Sequence, residues 1–563
     1  MKLKLNSGFL GLFFILAGFV VSAHAKTSYE KFPVPAKGGV FTDTIGLTPG
    51  TLNPILVTSI DDSVLSEKFY MPLMDKDAET YEDFPALAEK VEISKDKKDY
   101  TFTLNKNAKW SDGTPVTSND VEFTFQKIMD PKVDAASTRS YYDGVSFQKI
   151  DALKFKFTVA VPKFNSLSTL TTFHPVQKKQ FENETDFNKS RENLHPIGNN
   201  AYKLKTISRD QFVTLERDQN WWARDLPAYR PQANFDTIQL KIISDPALRY
   251  ENFLKGSIDT VSLTADQYAT QALAGDKDKI GDKPNSGKAL WASKFPSDGS
   301  LPWYGLALNQ KNAILSSLPV RQALAYLIDY DVVNERAFFN TVKQCVSPFG
   351  SRTDNVPPEL RSGAKKYKYD FKKALGLLKA DGWADTDGDG FLDKMIDGKK
   401  IPLKIEFKTY SASQAGMKTA QILKESFKKA GIDLQIRPME GSALYADFHE
   451  KNFDIAFMGW GAGSIYPDPR QIWHTKSISA NGSNSVSYSN PKVDQLIDKA
   501  NLEFDKKKRA KLLQEINREL YHDLPYIFLV ERGYVIEGLN SKLKAPVWIQ
   551  RYGIDVTKEL FHL

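Results

Sequence analysis

The chain is 563 residues long and carries 76 basic against 69 acidic side chains, a formal charge of +7. This modest excess is spread through alternations such as Lys95 to Asp99, with no arginine-rich arm and no stacking-aromatic module, which argues against nucleic acid as a partner. The single cysteine, Cys345, excludes an internal disulfide framework and reads as a packed small residue, and the length predicts about two to four domains.

At the start, Lys2 and Lys4 precede an apolar run from Phe9 to Val21, and Ala23-His24-Ala25 supplies small residues at a cleavage spacing. This is the pattern of a secretory leader, residues 1–25, removed near Lys26. The run is about 13 residues, short of the roughly 20 that a membrane span needs. No cysteine follows it, so lipoprotein anchoring by that route is excluded, and the expected product is soluble in a periplasm-like compartment. About 538 residues remain, enough to bury a sizeable core without disulfides.

Between residues 38 and 310 the pattern is largely strand-like, with helices inserted. Tyr100 to Leu104 and Leu153 to Val159 alternate as half-buried strands, and Ser111-Asp112-Gly113-Thr114-Pro115 reads as a turn. A helix then starts with Thr117 as N-cap and Asp120 three positions on. Val121, Phe125, Ile128 and Met129 form its buried stripe, and Asp130-Pro131 stops it. From about residue 301 strands and helices succeed one another. Ser317 and Pro319 open a helix burying Val320, Leu324, Leu327 and Ile328, and Phe371 to Leu378 reads as another. Residues 401–408 read as a strand, 416–430 as a helix, 431–438 as extended, and Phe453 to Met458 as a strand leading into Gly459-Trp460-Gly461. The succession predicts an α/β unit. Lys506-Lys507-Lys508-Arg509 reads as a solvated helix face, with Leu512, Leu513, Ile516 and Leu520 on the buried side.

The search for catalytic chemistry is negative. There is no Gly-x-Ser-x-Gly elbow, no His-Glu-x-x-His and no phosphate-binding glycine loop, and His174, His195, His474 and His522 lack zinc-site spacing. Asp385, Asp387, Asp389 and Asp393 stand at positions one, three, five and nine of a calcium-type loop, with Gly390 at six, but Ile396 occupies the twelfth position where a bidentate glutamate belongs. The two readings are an Asp/Gly-rich turn and a weak structural calcium site.

Aromatics beside glycines and turn residues mark the candidate ligand contacts. Trp303 and Tyr304, with Asn309 nearby, form one group, and Trp460, Gly461, Ser464, Tyr466 and Asp468 form the other. Trp460 is expected at the carboxyl end of a buried strand, where open α/β sheets place ligand clefts. The glycines expose main-chain groups of the kind a sequence-tolerant peptide site pairs with.

Six short sequences then occur in order: Pro49-Gly50-Thr51-Leu52-Asn53-Pro54; Asp99 to Leu104 through Trp110 to Thr117 and on to Asp120-Val121; Gly198 to Leu204; Phe253 to Asp259; Val320 to Asp329; and His522 to Pro525. Over nearly all of residues 38–545 the chain resembles the family 5 extracellular solute-binding proteins of peptide importers, the oligopeptide- and dipeptide-binding type. Asn220 to Pro227, Asn234 to Ile238 and the run from Ala325 to Phe339 are similar to the murein-peptide and microcin-uptake subgroup. The resemblance implies an α/β, bilobal binding-protein fold (type II, cluster C) with an extra domain inserted in lobe one. On this numbering lobe one is 38–75, 200–300 and 525–563, the inserted domain is 76–199, and lobe two is 301–524. It further implies a monomeric, non-catalytic periplasmic component of an ABC importer. That component takes oligopeptides or murein-derived peptides to the permease subunits and requires no cofactor.

The sequence departs from the family where many members read Trp-Gly-Ala-Asp-Tyr-Pro-Asp-Pro, the aspartate holding the peptide ammonium. Here Gly463-Ser464-Ile465 stands between Ala462 and Tyr466, so that carboxylate is missing. A buried ammonium without a counter-charge is costly. The amine must be held elsewhere, left in solvent or absent, with Asp468 either a substitute or a turn former. Two rival readings are the same architecture carrying an oligosaccharide, metal chelate or heme-like group, and a secreted hydrolase, for which no nucleophile–base pair is visible.

Overall fold

The computed structural model describes residues 19–21, 27–31, 34–57, 59–77, 80, 82–272, 279–281, 287–296, 302–349, 354–361, 367–460, 468–478, 483–531, 534–544 and 561–562. Most of the expected leader lies outside them. Phe19–Val21 pairs antiparallel with Val91–Ile93 at the edge of a five-stranded sheet.

That sheet continues through Ala88–Ile93, Asp99–Leu104, Lys154–Val159 and Val145–Lys149. Its alternation has the expected consequence: Tyr100, Phe102 and Leu104, with Phe155, Phe157 and Val159, all turn to one buried face. Phe102 stacks on Phe155 with ring centroids 5.5 Å apart. Helix Ser118–Met129 covers this region, and its first turn is closed by Thr117 N–H donating to the Asp120 carboxylate at 2.9 Å.

A four-stranded sheet of Val40–Ile45, Thr237–Ile242, Phe212–Arg217 and Tyr202–Ser208 lies alongside in the chain. Its apolar residues form one continuous core with those of the five-stranded sheet. The segment 76–199 therefore has no separate core of its own among the described residues. A second four-stranded sheet combines Thr260–Ser262, Tyr534–Asn540, Leu290–Pro296 and Ile280–Gly281.

The other large body is built on a six-stranded sheet in the order Lys343–Gln344, Tyr526–Glu531, Trp303–Leu308, Ile455–Trp460, Lys404–Tyr410, Asp433–Met439. Its core draws on residues from Trp303 to Val530. The expected boundary at residue 525 is thus displaced, because Tyr526–Glu531 pairs with Trp303–Leu308 inside this sheet before the chain returns to the first body. The strand expected over 401–408 is two strands: Lys399–Pro402 forms a hairpin with Asp393–Ile396, and Lys404–Tyr410 enters the large sheet. The helix opened by Ser317 ends at Tyr326, yet Leu327 and Ile328 remain fully buried.

Gly198-Asn199-Asn200 explains itself in this frame. The Phe69 carbonyl, left over at the end of helix Ile60–Phe69, accepts from Asn199 N–H at 2.8 Å and Asn200 N–H at 2.9 Å. Asn199 Oδ1 accepts from Met71 N–H at 2.7 Å, and Gly198 O accepts from Ser111 N–H at 2.6 Å. A Cβ on Gly198 would lie 2.2 Å from the Phe69 oxygen. Gly198→Ala is therefore expected to destabilise the first body by about 2–3 kcal/mol through forced backbone displacement, read as a lower urea midpoint; an unchanged midpoint would contradict this packing.

Candidate functional site

Lys404–Tyr410 and Ile455–Trp460 run parallel, so Tyr410 and Trp460 emerge at the same edge of the six-stranded sheet. The antiparallel partner strand begins at this edge, with Trp303 opposite Trp460 and Tyr304 opposite Gly459. Gly459 is required here, since a Cβ would meet the Tyr304 ring at 2.6 Å and the Trp303 carbonyl at 2.7 Å. Tyr304 is half-buried and stacks on Phe457 at 5.9 Å. Trp460 is also half-buried, its Nε1 donating to the Tyr526 hydroxyl at 3.3 Å.

Two expected contacts have other roles. Trp303 is 2% exposed, with its ring edge-on to Tyr526 at 5.3 Å and Phe528 at 5.0 Å, so it packs the core beneath this edge. Asn309 lies beyond Leu308, at the opposite end of the sheet. Its Nδ2 donates to the Lys451 and Phe453 carbonyls at 3.0 and 2.8 Å, and its Oδ1 accepts from Lys311 N–H at 3.1 Å. Gly461, Ser464 and Tyr466 lie outside the described residues. Asp468 Oδ1 accepts from Arg470 N–H at 2.9 Å and Asn501 Nδ2 at 3.3 Å, while Oδ2 accepts from Asn165 Nδ2 at 3.3 Å.

A cavity of about 550 Å³ opens between the two bodies. The first body lines it with Leu263, Thr264, Ala265, Asp266 and Ile536, and the second with the end of helix Tyr330–Phe338 and the start of helix Gln414–Lys429. Arg336 and Lys418 stand on the second side, and Asp266 on the first. Ser413 caps the second helix by accepting from Gly416 N–H at 3.0 Å, and the partial positive charge of that helix start adds to the two cations. The site thus offers opposed charges on opposed walls, at a volume typical of small-ligand pockets. Sequence reasoning missed Asp266, Arg336 and Lys418. The rule that placed Trp460 at a strand's carboxyl end applies equally to Tyr410 and the helix after it, and would have pointed to Ser413 and Lys418.

The acidic loop is exposed. Carboxylate oxygens of Asp385, Asp387 and Asp389 lie within 4.8 Å of one another. Asp385 accepts from Gly388 N–H at 2.7 Å and Gly390 N–H at 3.0 Å. Asp393 accepts from Thr386, and Lys400 Nζ reaches Asp387 at 2.7 Å and Asp393 at 3.2 Å. Lys400 holds the Asp387 carboxyl below its ordinary range. Cys345 is buried, its thiol donating to the Ser347 carbonyl at 3.2 Å and pushed well above its usual pKa by burial. It is no nucleophile in this setting.

Two sheet-based bodies with a charged cavity between them define a protein that encloses a solute. The family model of bacterial extracellular solute-binding proteins, family 5, matches residues 84–484, and the chain belongs to this family. The oligopeptide-binding protein AppA of Bacillus subtilis is 27% identical over 554 residues, covering 96% of this chain and 93% of the relative. The solved structure of that AppA with a nonapeptide superposes with a TM-score of 0.80 at 24% identity, covering 94% of this chain and 100% of AppA. NikZ of Campylobacter jejuni, solved with Ni(L-His), superposes with a TM-score of 0.73 at 23% identity, covering 91% and 95%. No helix among the described residues is long and apolar enough to cross a membrane.

Because Lys400 already sits among the loop carboxylates, thermal unfolding curves in EGTA and in millimolar calcium are expected to coincide. A rise of several degrees with calcium would show that the loop takes the ion instead.

Proposed function

We propose that this chain is the substrate-binding component of an ABC importer, capturing oligopeptides, murein-derived ones included, between its two bodies and releasing them unaltered to the permease. The protein acts as a periplasmic monomer freed of its leader. The observation that carries the reading is the cavity walled by Arg336 and Lys418 on one body and Asp266 on the other. A peptide carries a carboxylate and an ammonium at its two ends. The opposed charges suit both, and Asp266 supplies a counter-charge to the amine that the usual aspartate does not. The name of the AppA relative points to the same cargo.

Capture is a population shift. The guest contacts both walls only when they approach, so it stabilises the closed arrangement by its differential contacts. Closure also removes water from those contacts and strengthens each of them.

Mass spectrometry of small molecules retained through native purification tests the cargo. Peptides or muropeptides are expected, whereas a metal chelate or a sugar alone would overturn the peptide reading, and turnover of a supplied peptide would overturn the non-catalytic one. Arg336→Ala and Lys418→Ala are each expected to weaken binding of a retained peptide about tenfold, and to leave its C-terminal amide unaffected. Equal losses for acid and amide would contradict the carboxylate assignment.

A further inference from the structure

The segment 76–199 contributes no described residue to the cavity, yet it touches the second body at several points. Phe164 N–H donates to the Asn501 carbonyl at 3.0 Å. Next to it, Asn165 Nδ2 donates to Asp468 Oδ2 at 3.3 Å, and the other oxygen of that carboxylate accepts from Asn501 Nδ2 at 3.3 Å. The Arg509 guanidinium lies over the Phe164 ring at 4.2 Å and is fixed there by donating to the Glu503 carbonyl at 2.9 Å. At the rim, Lys97 sits over the Phe504 ring at 3.6 Å, and the Tyr141 hydroxyl donates to Gln471 at 3.0 Å.

These contacts join parts of the chain that belong to different cores. A surface salt bridge or a single rim contact would carry little weight. The centre of this patch is different, because Asn501 and Arg509 are 2% and 6% exposed and Asp468 takes hydrogen bonds from both bodies. An arginine and an asparagine buried on the second body, meeting a phenylalanine and an asparagine on the first, form a matched seam. Separation of the bodies would take the Asn165 hydrogen bond from Asp468 and the Phe164 ring from Arg509, while Arg470 and Asn501 stay with Asp468 and the Glu503 carbonyl stays with Arg509.

We infer that Phe164 and Asn165 with Asp468, Asn501 and Arg509 form a clasp that sets how long the closed form lasts. The segment 76–199 then serves ligand capture without touching the ligand, and Asp468 is a positioning residue for closure, not the holder of a peptide ammonium. The inference rests on the capture reading for its consequence on ligand lifetime, but not for the existence of the clasp.

Two measurements separate these. In the first, the double variant Phe164→Cys with Asn501→Cys is exposed to a mild oxidant in the full protein with no ligand added. Their backbones share a hydrogen bond, so an intramolecular disulfide is expected, and it should form faster once a peptide is present; absence of the crosslink in both conditions would overturn the clasp. In the second, Asn165→Ala, Asp468→Ala and their combination are compared using a peptide retained by the wild-type protein, or trialanine if none is retained. Asn165→Ala is expected to raise the dissociation rate about three- to tenfold with little change in association rate or urea midpoint, and Asp468→Ala to raise it at least as much while lowering the midpoint, since Arg470 N–H and Asn501 also lose their acceptor. The combination should add little to Asp468→Ala alone, because that variant already removes the Asn165 bond. Unchanged dissociation rates, or losses confined to the urea midpoint, would show a merely structural seam. If the wild-type protein takes up no peptide, the capture reading fails, while the crosslink still decides the clasp.

Discussion

The structure depends on two antiparallel pairings, one in each body, that join distant parts of the chain. Leu290–Pro296 pairs antiparallel with Tyr534–Asn540 in the first body, and Trp303–Leu308 pairs antiparallel with Tyr526–Glu531 in the second. Pro296 and Tyr534 are register partners at the end of the first pairing, and Trp303 and Glu531 at the end of the second. Within each pairing the register is fixed, because sliding one strand by a residue would turn every side chain to the wrong face. The ends at which the chain leaves each body are therefore held side by side. Asp266 stands on one wall of the cavity between the bodies, and Arg336 and Lys418 stand on the other.

The electrostatics of the cavity follow from the secondary structure behind it. The strand ending at Tyr410 feeds the helix that begins at Gln414, so an amino-terminal helix end and Lys418 arrive together at the sheet's carboxyl edge. Helix Tyr330–Phe338 presents Arg336 beside them. The aromatic edge formed by Tyr304 and Trp460 rests on a layer of Trp303, Tyr526 and Phe528, whose packing fixes the edge in place. The rim thus takes its geometry from the packed core below it.

Alternation and capping made much of this architecture legible. The Tyr100–Leu104 strand, the Thr117 cap and the strand ending at Trp460 follow local rules that need no tertiary knowledge. Trp303 and Tyr304 show where local rules stop. They are neighbours pointing to opposite faces, and which face is core depends on Tyr526 and Phe528, far along the chain. Asn309 follows the strand that starts with Trp303, and only the six-residue length of that strand puts it at the far end of the sheet. Arg509 looks like part of a solvated basic run, but Phe164 and the Glu503 carbonyl draw it inside. The cavity cations were invisible for the same reason: a lone Arg and a lone Lys on two helices acquire meaning only when the fold brings them together.

The most direct test of closure around a guest is small-angle X-ray scattering on protein stripped of bound molecules by unfolding and refolding, then titrated with the retained ligand. The account requires the radius of gyration to fall as the ligand is added and to level off at one equivalent. A radius that stays constant while calorimetry shows the ligand binding would contradict it.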